Sequence, residues 1–163
     1  MVQIGYHHPS KDVKIGYQIH GDQSGSQVPL VLIMGLSGIL EDWSPLTEEL
    51  GRSRPVLVFD HRGIGRSTIS PDADPDLSHD IMCDDLLSLL GSLGSKWSTV
   101  DILGFSMGGH ILQRLATRES TKTDNKGLID LGKGGVKARK LILAATMTKM
   151  PRGDINLEQM GEE

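Results

Sequence analysis

The stretch Gly104-Phe105-Ser106-Met107-Gly108-Gly109-His110 decides the fold, and it follows directly on the short apolar run Val100 to Leu103. Behind it, Ile111, Leu112, Leu115 and Ala116 recur at helical spacing. The order is therefore strand, tight turn, helix, with a G-x-S-x-G pentapeptide as the turn. In such an elbow the residues two positions either side of the serine must be small, a demand that Gly104 and Gly108 meet. Holding a serine there costs about 1 to 3 kcal/mol of backbone strain and lifts its Oγ above the C-terminal edge of the sheet. The helix behind the turn adds partial positive charge where an oxyanion would form. The pentapeptide alone would also suit a glycine-rich turn in some other α/β protein, and its position between strand and helix is what makes it specific.

Upstream, Val2 to His7 and Val13 to His20 are β-prone runs separated by Pro9 to Asp12, the pattern of a hairpin. Leu30 to Met34 and Pro55 to Phe59 lack polar alternation, as expected of parallel strands buried on both faces. Between them Ser44 and Pro45 predict the start of a short helix carrying Leu46 and Leu50 on one face and ending at Gly51. Ser78 and Asp80 open a longer helix whose Met82, Leu86, Leu89, Leu90 and Leu93 form one stripe, with Gly91 and Gly94 near its end. Leu141 to Ala145 predicts a last strand, and Glu119 to Arg139, polar and rich in Gly and Lys, reads as a flexible insertion before it. Alternating strands and helices imply an α/β fold, a mainly parallel sheet covered on both faces, built as a single domain over residues 1–163.

Composition narrows the function classes. A hydrophobic fraction of 37%, a charged fraction of 23% and the lack of any apolar run long enough for a membrane helix describe an ordinary soluble chain without a membrane span. A net charge of -4 gives no electrostatic reason to bind nucleic acid. The single cysteine, Cys83, and the absence of a secretory pattern at the N-terminus fit a reducing, cytoplasmic setting. The run Gly127 to Gly134 falls short of a phosphate-binding loop because Gly134 stands where Ser or Thr is needed, and Gly63 with Gly65 lacks the third glycine of a dinucleotide fingerprint. A nucleotide enzyme is disfavoured.

Three ordered landmarks carry a resemblance: Leu30 to Gly38, Val58 to Ser67 with its Asp60-His61-Arg62-Gly63-Ile64-Gly65-Arg66-Ser67, and the elbow. Together they resemble the α/β-hydrolase superfamily, nearest its esterase, lipase and haloperoxidase-like branch, from about Val13 to about Thr148 and excepting 119–139. The resemblance implies Ser106 as nucleophile, the Met107 N–H as one oxyanion donor and Leu36, after Gly35, as the nearest match to the second. It also implies a small-molecule acyl substrate and chemistry that needs no metal or organic cofactor.

The chain departs from the family's order of Ser, then Asp or Glu, then His, because no histidine follows His110. His110 lies one helical turn beyond Ser106 and reads as a packed helix residue. His61, at the same sheet edge, reads as a loop histidine, and Asp154 with Pro151, Arg152 and Gly153 as turn material. Asp60, Arg62, Gly63 and Gly65 read as loop-shaping residues, Asp60 bonding backbone or Arg62, and Trp43 and Asp42 receive no role. Two function classes follow. One is a serine hydrolase of esters or related acyl groups whose acid and base lie downstream, the chain ending after its sixth main strand with the C-terminal strands missing. The other is a truncated, inactive chain with a binding role or none. Either leaves a sheet edge uncovered and predicts marginal stability or self-association.

Overall fold

The computed structural model describes residues 2–73, 77–132 and 134–148. It opens with the expected hairpin, β1 (Val2–Ser10) against β2 (Val13–His20), though β1 runs on through Pro9 until Ser10 faces Val13. Proline fits because β1 is the edge of the sheet, where its missing N–H costs no ladder bond. β3 (Leu30–Ile33) leads to a single 3-10 turn, Leu40–Trp43, and to α1 (Leu46–Gly51). Ser44 does not cap that helix; its hydroxyl donates to Glu48 Oε1 at 3.2 Å. The helix buries Thr47, while Leu46 is left exposed.

β4 (Val56–Phe59) and the two-residue β5 (Thr68–Ile69) come next, then α2 (His79–Ser92), whose Ser78 cap accepts from the Ile81 N–H. β6 (Thr99–Phe105) runs straight into α3 (Met107–Ala116). The segment expected as an insertion carries β7 (Lys122–Thr123) and β8 (Ile129–Asp130), and β9 (Lys137–Ala144) begins before the expected Leu141. Leu131 and Val136 are buried, so this stretch folds onto the sheet as a short hairpin against β9. Two-residue strands have no period to read, which is why they escape a sequence pattern.

The sheet runs β1-β2-β4-β3-β6-β9-β8-β7, with β5 on β2. Its four central strands β4, β3, β6 and β9 are parallel and its flanks antiparallel, so the sheet is mixed around a parallel centre. Alternation explains the unbroken apolar runs. Val31, Ile33, Leu57, Phe59 and Ile102 pack with the α2 stripe and with Ile111, Leu112 and Leu115 of α3. Leu30, Leu32, Val56 and Val58 point the other way, against Leu40 and Trp43. Each fully buried aliphatic side chain of this kind contributes about 1.5 to 3 kcal/mol.

Register then positions the site. Ile33 lies beside Gly104, and Gly104 beside Leu143, so β3, β6 and β9 end level and their following loops converge on Ser106. Beyond Ala138, β9 has no outer partner among the described residues, and Ile142 and Leu143 are 41% and 50% exposed.

Candidate active site

Ser106 takes φ 53° and ψ −119°, a left-handed conformation that a non-glycine residue adopts only when its surroundings impose it. Its N–H donates to Ala144 O at 3.0 Å, tying the turn to the end of β9, and its carbonyl accepts from the Gly109 N–H. The glycines supply the room. A Cβ on Gly104 would lie 2.4 Å from Gly108 O, and one on Gly108 only 2.2 Å from Ile33 O. α3 therefore starts against the backbone of β6 and β3, closer than any side chain permits.

The loop after β3 crosses over the nucleophile. A Cβ on Gly35 would sit 3.1 Å from Ser106 Cβ and 3.5 Å from its Oγ. Leu36, 75% exposed, follows on this loop, and Met107 is the first residue of α3. Among the described residues neither the Leu36 nor the Met107 N–H donates a hydrogen bond, so both are available to an incoming oxygen. Leu36, Met107 and Ser106 line a cavity of about 300 Å³ together with His79, His110, Thr146 and Met147.

His79 and Thr146 were not singled out from the sequence. The signal for His79 was its place at the start of α2, since a helix entered from the loops at this edge presents its first residue there. Its ring lies 6.0 Å from that of His110, centroid to centroid. His110 Nε2 and Thr146 Oγ1 are buried without a hydrogen-bond partner. Ser106 Oγ hydrogen-bonds to no histidine among the described residues, so neither His110 nor His61 is placed as its base.

His61 is not the surface loop histidine its sequence suggested. It is 4% exposed, packs edge-on to Phe59, and its Nε2 shares a hydrogen bond of 2.9 Å with Met34 O. A carbonyl only accepts, so Nε2 carries the proton and donates. Burial holds the His61 pKa below the usual histidine range. Asp60 is fully buried and accepts from Leu40 N at 2.7 Å through Oδ1 and from Arg66 N at 2.7 Å through Oδ2. Burial pushes its carboxyl upward, against the pull of those two N–H groups. Arg62 does not meet Asp60; its guanidinium forks onto Asp85 of α2, with Nε–Oδ2 and Nη2–Oδ1 both 2.7 Å. Gly65, φ 53°, passes so near that a Cβ would lie 2.5 Å from Asp60 Oδ2. Trp43 packs edge-on against Phe105, beside the elbow.

Other candidates fall away. The glycine-bracketed run 127–134 carries β8 and leads into β9, where a phosphate-binding loop would need a helix. Cys83 is buried in the core with its thiol pushed up to about 11, which leaves no thiolate to react at neutral pH. Among the described residues no cluster of three or more His, Cys, Asp or Glu side chains is placed to hold a metal, and no helix is long and apolar enough to cross a membrane. Asp154 lies outside the described residues.

Similarity to known proteins agrees with this geometry. Residues 28–125 match the family model for the alpha/beta hydrolase fold. The chain is 31% identical over 100 residues to a Caulobacter vibrioides protein named "Putative carbamate hydrolase RutD", covering 61% of this chain and 36% of that one. A hydrolase from Pseudomonas aeruginosa superposes with a TM-score of 0.69 at 23% identity, covering 92% of this chain and 48% of the other. The enol-lactonase from Burkholderia xenovorans LB400 gives 0.61 at 28% identity over 71% of this chain and 42% of its own. The chain thus spans less than half the length of these relatives. With the elbow, the mixed sheet and residues 28–125 all in agreement, the chain belongs to the alpha/beta hydrolase fold family.

Proposed function

We propose that this chain is the nucleophile-bearing part of a serine hydrolase that cleaves an ester or a related acyl bond, carbamates included. The observation that carries the reading is the strained Ser106, close under Gly35 and lining the 300 Å³ cavity together with Leu36 and Met107, whose amides donate no hydrogen bond among the described residues. In this mechanism Ser106 Oγ attacks the carbonyl carbon, and the carbonyl oxygen becomes an oxyanion held by the N–H groups of Met107 and Leu36. The carbon–oxygen or carbon–nitrogen bond breaks, the alcohol or amine leaves with a proton, and water then releases the acyl group from the serine. The chain itself supplies the nucleophile and both oxyanion donors. The reading also requires a base to take the Ser106 proton, and among the described residues no histidine is bonded to Ser106 Oγ. The names of the relatives support including carbamates in the substrate class.

A second reading is a chain that binds acyl compounds without turning them over, and it draws on the fact that no histidine among the described residues is bonded to Ser106 Oγ. One experiment separates the two. The protein is captured from its source cells, its intact mass is measured, and it is treated with a fluorophosphonate beside the 163-residue chain. A heavier native protein labelled rapidly on Ser106, with the 163-residue chain and the Ser106→Ala variant both slow, supports the hydrolase. A native protein of the same mass as the chain, with Ser106 no faster than Ser106→Ala, supports binding alone.

A further inference from the structure

We infer that the dipeptide Asp60-His61 is a positioning brace that holds both ends of the loop Met34–Leu40 and so fixes the Leu36 N–H over Ser106. This rests on the reading of Ser106 as the nucleophile. The loop leaves β3 at Met34, whose carbonyl accepts from His61 Nε2, and ends at Leu40, whose N–H donates to Asp60 Oδ1. Two consecutive residues at the end of β4 thus grip two points six residues apart on the neighbouring parallel strand's loop. Between the grips, the Ile39 N–H is taken up by Asp42 Oδ2, and Ser37 is held at φ 60°. Among the described residues Leu36 has no such partner of its own, so its amide is aimed by what holds the loop on either side.

The brace is itself fixed from behind. Asp60 Oδ2 takes the Arg66 N–H, the Asp60 carbonyl takes the Ser67 hydroxyl, and the Asp60 N–H donates to Gly16 O of β2. Arg62, next in sequence, is locked to Asp85 of α2. His61 is enclosed against Phe59 and is not among the residues that line the cavity. Its buried donor therefore works on the loop and on no ligand. A neutral, Nε2-protonated imidazole can play this part, and an Nδ1-protonated one cannot.

The test needs three readouts. In the unaltered protein, the nitrogen-15 spectrum of His61 should show a neutral ring protonated at Nε2 at pH 7; an Nδ1 proton overturns the proposal without any variant having to fold. In His61→Leu, hydrogen exchange at the Ile39 and Leu40 amides should quicken tenfold or more, with exchange in α2 and α3 unchanged, and His61→Gln, which keeps a donor near the Nε2 position, should restore it. Unchanged exchange in this loop, or quickening spread evenly over the molecule, overturns the brace. In the native protein, fluorophosphonate labelling of Ser106 should slow tenfold or more in His61→Leu and recover in His61→Gln. If Ser106→Ala labels as fast as the unaltered native protein, it is the nucleophile reading that fails, while the spectrum and the exchange still decide the brace.

Discussion

Gly35 passes over Ser106 with only the thickness of a hydrogen atom to spare, since a methyl on its Cα would lie 3.1 Å from Ser106 Cβ and 3.5 Å from Ser106 Oγ. Leu36, the next residue, lines the same cavity as Ser106, and on the proposed reading this closeness predicts the effect of Gly35→Ala. The loop must yield by a few tenths of an ångström, and the donor moves with it. In the native protein, fluorophosphonate labelling of Ser106 should fall by about 10- to 100-fold, less than full loss of an oxyanion donor, with little change in stability to urea. Labelling at the unaltered rate would remove Leu36 from the oxyanion site.

Gly108→Ala tests a different constraint. The added methyl would stand 2.2 Å from Ile33 O, and a backbone carbonyl in a central strand cannot swing aside. The variant should lose about 1 to 3 kcal/mol of stability, or more, in urea unfolding. Unchanged stability would mean that α3 does not start where the structure places it.

Acid should weaken the fold through His61. Burial lowers its folded pKa below the ordinary value of 6.5, so its contribution is complete above that pH and is lost as pH falls toward the folded value. The slope is at most about 1.4 kcal/mol per pH unit for one such group. His7 and His20, also lowered chiefly by burial, act in the same direction. Urea unfolding at pH 7.5 and 5.5 should show the drop, and His61→Gln should remove part of it. An equal drop in that variant would show that His61 is not the group responsible.

The outer edge of β9 predicts association between copies. From Arg139 onward its ladder groups have no partner among the described residues, and Ile142 and Leu143 are exposed beside them. Paired antiparallel about Ile142, two copies would set Leu141 against Leu143 and Lys140 against Ala144, so no like charges oppose. Sedimentation of the 163-residue chain at micromolar concentration should show dimers or larger species, reduced by Leu143→Lys. A monomer at every concentration contradicts this.

Much of this was legible in the sequence, and the reason is local. Gly104 and Gly108 announce the elbow because the steric demand acts within the pentapeptide itself. The runs at Leu30 and Pro55 announce parallel strands because both of their faces are buried. Asp60 was read as bonding backbone or Arg62; it bonds backbone, through Leu40 and Arg66, loop amides that no pattern identifies, while Arg62 goes to Asp85. His61 was misread because its burial depends on Met34, 27 residues away, and on the packing of Phe59. Leu46 was expected to share a face with Leu50, yet Leu46 is exposed while Leu50 packs against the core, because six residues of helix give too little period to fix a face.

The most direct test is a crystal structure of the native protein after reaction with a fluorophosphonate. The account predicts phosphorus bonded to Ser106 Oγ, with its remaining oxygen about 2.7 to 3.1 Å from the amide nitrogens of both Met107 and Leu36. An adduct on another residue, or a Ser106 adduct whose oxygen points away from those two amides, would contradict it.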